Sequence, residues 1–119
     1  MIQQNKSTIF ESLEDFVSSS LQSHEDVLIH LRYNEISKNG AQILGEGLAN
    51  CPFLTKLILY LSYNTIESHG AIFLGQSLVK CINLKNLVLW IYGNEVNEED
   101  SHRLKLKLKK IKRLVKLFY

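Results

Sequence analysis

Residues 54–81 read LTKLILYLSYNTIESHGAIFLGQSLVKC, and this stretch decides the fold. Its first part, residues 57–61, alternates buried-type residues with others, which is typical of a short β-strand. Its second part spaces small or apolar residues three or four positions apart, as one helical face requires: Ala71, Leu74, Leu78 and Cys81. The stretch therefore predicts a strand, a turn and a helix, in that order.

The same pattern recurs without a gap when the sequence is shifted against itself by 30 residues. The aligned positions include the strand and helix leucines and three asparagines, Asn34, Asn64 and Asn94. Because one such unit cannot bury its apolar side alone, stacked units are expected to share a core between a parallel sheet and a layer of helices.

The unit L-x-x-L-x-L-x-L-x-x-N-x-I-x-x-x-G-A-x-x-L-G-x-x-L-x-x-C resembles a leucine-rich repeat of the ribonuclease-inhibitor-like subclass. The resemblance covers about residues 27–119. It implies an α/β fold, a short right-handed leucine-rich-repeat solenoid with a parallel sheet on the concave face and helices on the convex face. The unit is slightly longer than the family's usual one and is similar to repeats abundant in ciliate proteins.

The periodicity divides the chain into an N-terminal segment, residues 1–26, and repeats over 27–119, with units that begin near 27, 57 and 87. Helical spacing in the first segment predicts a capping helix over 8–22. Further helices are expected at 38–50, 68–80 and 98–112, and strands at 27–32, 57–62, 87–92 and 114–118. Residues 104–108 also alternate like a strand, but the repeat register favours a helix there. The last strand leaves an open C-terminal sheet edge.

Composition places the chain among single globular domains, with 119 residues, 45% of them hydrophobic and 22% charged. No apolar run approaches the roughly 20 residues of a membrane helix, so no membrane insertion is expected. The first residues lack the apolar run of a signal peptide. We therefore expect a cytoplasmic protein, and the similarity to ciliate repeats directs attention to the cytoskeleton or cilium.

The aligned asparagines are the most prominent polar set. In the resembling family this asparagine is buried at the turn after the strand, where its amide satisfies backbone groups. The resemblance therefore implies a structural role for Asn34, Asn64 and Asn94, rather than catalysis or metal binding. Cys51 and Cys81 are expected to be small, buried, apolar thiols in the helical layer.

Signatures of catalysis are missing from the sequence. The histidines, at 24, 30, 69 and 102, have no metal-ligand spacing, and no Ser or Cys lies in a nucleophile motif. Residues 45–47 read GEG but fall within a predicted helix and lack the Lys-Ser/Thr of a phosphate loop. We expect no enzyme activity, no cofactor, no metal and no small-molecule substrate.

In each strand, the residues that alternate with the buried positions lie on the opposite face of the sheet. The resemblance implies that this is the concave face. The repeat register arranges them in three rows: Leu28, Ile58, Val88 and Phe118; His30, Tyr60 and Trp90; and Arg32, Ser62 and Tyr92. Two rows are rich in apolar or aromatic residues, and Trp, Tyr and Arg are enriched at binding hot spots. This surface predicts contact with a partner protein, and coverage by the chain's own termini is the alternative.

Charge is distributed unevenly. Residues 1–100 hold all 12 acidic residues, whereas residues 101–119 hold eight of the 14 basic residues and no acidic one. The basic residues are Arg103, Lys105, Lys107, Lys109, Lys110, Lys112, Arg113 and Lys116. They could contact nucleic acid, an acidic protein surface such as a microtubule, or anionic lipid. A solvated outer face of the last repeat is the alternative.

These patterns favour a non-catalytic protein–protein interaction module, a small structural or adaptor subunit of a larger assembly. It would use the concave sheet face and the open C-terminal edge, because docking adds burial that a short stack lacks. The alternative function is electrostatic binding of nucleic acid or an acidic polymer through residues 103–116. A third interpretation is that the chain is a fragment or paralogue of a larger repeat protein.

Overall fold

The structure, a computed structural model, describes residues 7–111 and the strand 116–118. Within them, five parallel strands form one sheet in chain order: β1 (Thr8–Phe10), β2 (Asp26–His30), β3 (Lys56–Tyr60), β4 (Asn86–Trp90) and β5 (Lys116–Phe118). Val27 lies opposite Leu57, and Leu57 lies opposite Leu87, so the pairing follows the repeat offset. The predicted α/β class with a parallel sheet is confirmed.

The helices of the described residues are α1 (Leu13–Val17), a 3-10 turn (Leu21–Ser23), α2 (Lys38–Ala49), α3 (Glu67–Val79) and α4 (Glu98–Lys109). Helix α3 packs between α2 and α4. The Ser37 hydroxyl caps α2 by accepting from the Gly40 N–H at 3.3 Å, and Asn97 Oδ1 caps α4 by accepting from the Asp100 N–H at 2.8 Å. These three helices and strands β2–β5 agree with the sequence-based boundaries to within three residues.

The core lies between the helices and one face of the sheet. Alternate strand residues are fully buried there: Val27, Ile29, Leu57, Leu59, Leu87 and Leu89. Residues 104–108, whose local pattern was ambiguous, are helical and bury Leu104 and Leu108. Among the described helices, none combines the length and apolar character needed to cross a membrane.

The single capping helix predicted over 8–22 is wrong. Residues 8–10 instead pair in parallel with β2, which gives the edge of that strand its hydrogen-bond partners. Ser12 then starts the short helix α1 by accepting from the Asp15 N–H at 3.0 Å. Phe16 of α1 is fully buried, and its ring meets Phe10 edge-on at 5.3 Å. The helical spacing of this segment was misleading because pairing at the sheet edge outweighs it.

Candidate binding surface

The outer face of the sheet is the face opposite the helices. Strand register sets Leu28, Ile58 and Val88 side by side across it, and Phe118 of β5 lies next in register, although its side chain is outside the described part. The adjacent row holds His30, Tyr60 and Trp90. In both rows the described side chains are half-buried, except the exposed His30. The outer face therefore carries two neighbouring rows of apolar and aromatic groups.

An aromatic cluster occupies the carboxyl ends of strands β2–β4 and consists of Tyr33, Tyr60, Tyr63, Trp90 and Tyr92. The rings of Tyr33 and Tyr63 stack at 4.7 Å with an 8° angle between their planes. Tyr92 meets Tyr63 edge-on at 5.2 Å and Trp90 edge-on at 6.5 Å. Tyr60 makes its edge contact with His30 at 5.5 Å. Such pairs contribute about 0.5–1.5 kcal/mol beyond burial, so the linked rings of Tyr33, Tyr63, Tyr92 and Trp90 hold one another in place.

Sequence reasoning missed Tyr33 and Tyr63. Both lie in the turn after a strand, where alternation no longer predicts which face a side chain occupies. Their φ angles are 56° and 60°, and Gly93 takes the third equivalent position at 75°. A Cβ on Gly93 would lie 2.7 Å from Cδ1 of Tyr63, so the glycine leaves room for that ring. The 30-residue offset, which pairs Tyr33 with Tyr63, is the signal that could have found them.

A shallow pocket of about 190 Å³ opens within this surface, lined by Arg32, Tyr60, Ser62, Trp90 and Tyr92. The guanidinium carbon of Arg32 lies 5.8 Å from the centre of the Tyr33 ring, and the side chain is exposed. The sequence predicted an outward-facing position for Ser62, but this residue is only 1% exposed. Its hydroxyl has no hydrogen-bond partner among the described residues.

Asn64 joins two consecutive units through its buried amide. Its Oδ1 accepts from the N–H groups of Asn34 and Ile36 at 2.8 and 2.9 Å. Its Nδ2 donates to the carbonyls of Leu31 and Leu61, each at 2.8 Å. These bonds satisfy backbone groups of two neighbouring turns at once. Asn94 does the same one unit later, with the N–H of residue 66 and the carbonyls of residues 61 and 91.

Asn34 does not match the buried role that the resemblance implies. Its side chain is exposed, and its amide donates at 2.8 Å to the carbonyl of Arg32 within its own turn. The cause is the N-terminal segment, which enters α1 directly after β1. No turn equivalent to residues 31–36 therefore precedes Asn34 in the described chain, and its amide has no neighbouring unit to join.

Burial favours the neutral forms of two interior groups, Cys51 and His24. Burial, followed by the nearby Cys81 thiol, raises the pKa of Cys51 to about 12. Burial lowers the pKa of His24, whose Nε2 lies 2.8 Å from the Ser19 hydroxyl. On the surface, the Tyr92 hydroxyl raises the pKa of Tyr63. Within residues 7–111, no group of three His, Cys, Asp or Glu side chains is placed to hold a metal ion.

The described part of the basic segment lies on helix α4 and just after it. Arg103 is paired with Glu99 at 2.7 Å and Asp100 at 3.5 Å. Lys105, Lys109 and Lys110 are exposed, and Lys107 is half-buried. Lys112, Arg113 and the side chain of Lys116 lie outside the described residues. The helix also carries three acids in its first turn, so its positive charge is confined to its C-terminal half.

A groove of about 590 Å³ runs between α3 and α4, on the side of the molecule away from the outer face. Its apolar lining comes from Ile72, Val79, Leu106 and Ile111. Arg103, Lys107 and Lys110 add positive charge, and Asp100 lies at the Arg103 end. Sequence reasoning missed this groove because its width depends on how the two helices pack.

Comparison with models of known protein families finds no match, and comparisons with curated proteins and with solved structures find none either.

Proposed function

We propose that this chain is a leucine-rich-repeat solenoid of the ribonuclease-inhibitor-like subclass and that it acts as a non-catalytic protein-binding module. In this proposal it is a small structural or adaptor subunit of a larger assembly. The observation that carries the binding role is the aromatic cluster on the outer face. The repeat assignment is supported by the constant 30-residue strand register and by the backbone bonds of Asn64 and Asn94.

The aromatic cluster favours protein contact for a physical reason. Tyr33, Tyr63 and Tyr92 are 68%, 41% and 52% exposed, although they are large apolar rings. Removing such surface from water contributes about 25 cal/mol per Å² of apolar area, against which the entropy cost of association is set. The rings are already braced by one another, so little side-chain entropy is lost on binding. The half-buried row of Leu28, Ile58 and Val88 extends the same apolar surface.

The non-catalytic part of the proposal is supported by the chemistry of the buried groups. The Cys51 thiol, with a pKa of about 12, is protonated at neutral pH and is therefore a poor nucleophile. On α4, Arg103 pairs with Glu99 and Asp100 rather than facing a reactive side chain. The proposed ligands are proteins, not small-molecule substrates or inserted membranes.

The sheet offers a second contact. Strand β5 lies at the C-terminal edge of the described sheet, and a partner strand could add to it by backbone pairing. We place the assembly in the cytoplasm, and the cytoskeleton and the cilium are the structures to search first, on the basis of the repeat resemblance alone.

The test is affinity capture with the full-length chain from cells that express it, comparing wild type with Trp90→Ala and with Phe53→Ala. Phe53 is the matched control, because it is 58% exposed but lies outside the outer face. We expect a reproducible set of proteins that Trp90→Ala loses and Phe53→Ala retains. Equal capture by all three chains, or capture of no protein, would contradict the proposal.

A second candidate function is electrostatic binding of nucleic acid or an acidic polymer, favoured by the exposed lysines of α4. Replacement of Lys105, Lys107, Lys109 and Lys110 by Gln should abolish such binding, and binding should weaken steeply with salt. Replacement of Lys38, Lys56, Lys80 and Lys85 by Gln removes the same charge elsewhere and is the control. Equal losses in both variants would indicate a general charge effect rather than a site on α4.

A further inference from the structure

We infer that the outer-face pocket lined by Arg32, Tyr60, Ser62, Trp90 and Tyr92 receives the carboxylate of an acidic side chain, carried by an extended segment of the partner protein. This inference rests on the proposed function, because it assumes that the outer face is the binding surface. It goes beyond that function by specifying the chemistry of the partner group and the residues that recognise it.

The charge of the pocket indicates an anion. Arg32 is the one charged side chain among the lining residues, and no carboxylate of the described residues forms an ion pair with it. The Tyr33 ring beside the guanidinium limits its orientations. A guanidinium binds a carboxylate through two parallel hydrogen bonds, which a lone hydroxyl or amide group cannot match. The same charge disfavours a cationic ligand, despite the surrounding rings.

The polar side-chain groups that line the pocket can all donate hydrogen bonds. Tyr60, Ser62 and Tyr92 carry hydroxyl groups, Trp90 carries an indole N–H, and Arg32 carries only donors. Such a lining is rich in donors and contains no acidic group. A ligand atom that accepts several hydrogen bonds therefore fits it, and a carboxylate oxygen is the strongest such acceptor among protein side chains.

Ser62 supplies an independent observation. Its hydroxyl is covered from solvent and has no hydrogen-bond partner among the described residues, which is an unfavourable state for a polar group. Ser62 nevertheless lines the pocket, beside Tyr60 and Trp90. A ligand oxygen that enters the pocket would give this hydroxyl the acceptor that it lacks, so binding removes an existing cost.

The position of the pocket indicates a side chain within a segment rather than a chain terminus. The apolar row of Leu28, Ile58 and Val88 lies on one side of it, and the stacked Tyr33 and Tyr63 lie on the other. A segment can therefore continue in both directions over apolar surface. The volume of about 190 Å³ suits one side chain and is too small for a larger group.

The test begins with selection from a phage-displayed library of random 12-residue peptides on the full-length chain, with Arg32→Gln and Phe53→Ala in parallel. We expect selected peptides to carry Asp or Glu between apolar or aromatic residues. Phe53→Ala should select the same peptides, whereas Arg32→Gln should not. Selection of peptides without an acidic residue, or of the same peptides by Arg32→Gln, would overturn the inference, as would the absence of any selected peptide.

The strongest peptide is then synthesised with an amidated C-terminus, together with a twin in which the acidic residue is replaced by its amide. Trp90, the only tryptophan of the chain, lines the pocket and reports binding by its fluorescence. We expect the amide twin to bind at least tenfold more weakly, and Ser62→Ala to lower the affinity for the acidic peptide threefold or more. Equal affinity of the two peptides, or binding only with a free C-terminal carboxylate, would contradict the inference. Unchanged affinity in Ser62→Ala would remove Ser62 from the site.

Failure of this inference can be distinguished from failure of the proposed function. If Trp90→Ala loses the captured partner proteins but Arg32→Gln retains them, the outer face binds protein without the carboxylate contact. If both variants retain them, the outer face is not the binding surface. Thermal unfolding of Arg32→Gln should match wild type, because the exposed guanidinium makes no ion pair in the described residues.

Discussion

Asn64 and Asn34 occupy the same position in consecutive units, but their surroundings differ completely. Asn64 is buried and bonds four backbone groups of two neighbouring turns, whereas Asn34 is exposed and bonds one carbonyl of its own turn. The difference lies in what precedes each residue. A complete unit precedes Asn64, whereas β1 and α1 precede Asn34. A repeated residue therefore acquires its structural role from the neighbouring unit rather than from its own.

The largest effect expected from this comparison is on unfolding. Asn64→Ala leaves buried backbone N–H and C=O groups without partners and should lower the free energy of unfolding by about 3 kcal/mol. Asn34→Ala should change it by less than about 0.5 kcal/mol. Urea denaturation of both variants measures the contrast. Similar losses in the two variants would mean that the neighbouring unit does not decide the role of the residue.

Gly40 and Gly70 also occupy equivalent positions in the two consecutive units, and they extend the comparison. A Cβ on Gly70 would lie 2.6 Å from Cγ2 of Ile66 and 3.1 Å from the backbone Cα of Lys38 in the preceding helix. Gly70→Ala should therefore destabilise by about 2 kcal/mol, because a packed backbone cannot easily move. Near Gly40 the nearest atoms belong to side chains alone, and the first of them, Cγ2 of Ile36, lies farther away, at 3.0 Å. Gly40→Ala should be nearly neutral in the same denaturation experiment, and a loss as large as that of Gly70→Ala would refute the explanation.

The N-terminal end of the stack should respond to pH through His24. Burial against Phe10 and Phe16 lowers the pKa of His24 from 6.5, so the unfolded state binds this proton more readily than the folded state. Stability should therefore be complete above pH about 6.5 and should fall as the pH decreases toward the lowered value. Thermal unfolding between pH 7.5 and 5 measures this loss. His24→Gln should show a smaller loss than wild type, and equal losses would exclude His24 as the cause.

The smallest effect concerns the start of α3, the helix that packs between two others. Glu67 takes a φ of 63°, and α3 has no side-chain N-cap, whereas Ser37 and Asn97 cap α2 and α4 at the equivalent position. Glu67→Asn should stabilise by about 0.5–1 kcal/mol, because asparagine tolerates the left-handed region better. Ser37→Ala removes the existing cap of α2 and should lower the free energy of unfolding by about 1 kcal/mol. Melting temperatures of both variants provide the measurement, and a lower value for Glu67→Asn would contradict this account.

The long helices and strands β2–β4 followed from the sequence because their periodicities repeat three times at one offset. The structure of the N-terminal segment could not be predicted in the same way. Phe10, Leu13 and Phe16 have helical spacing, but residues 8–10 pair with the otherwise free edge of β2. The candidate site was predicted in part. Tyr60, Trp90 and Tyr92 were placed by alternation along the strands, whereas Tyr33 and Tyr63 lie in turns, where alternation does not apply.

The sequence by itself determined the unit, its length and which residues of each strand and helix enter the core, because burial of apolar residues imposes regular spacing on a repeating chain. Only the tertiary structure decided which asparagines are buried, which hydroxyl is left without a partner and which rings meet around Arg32. Those properties depend on contacts between units. A contact between units is fixed by the three-dimensional neighbour, which the local spacing of a single unit does not specify.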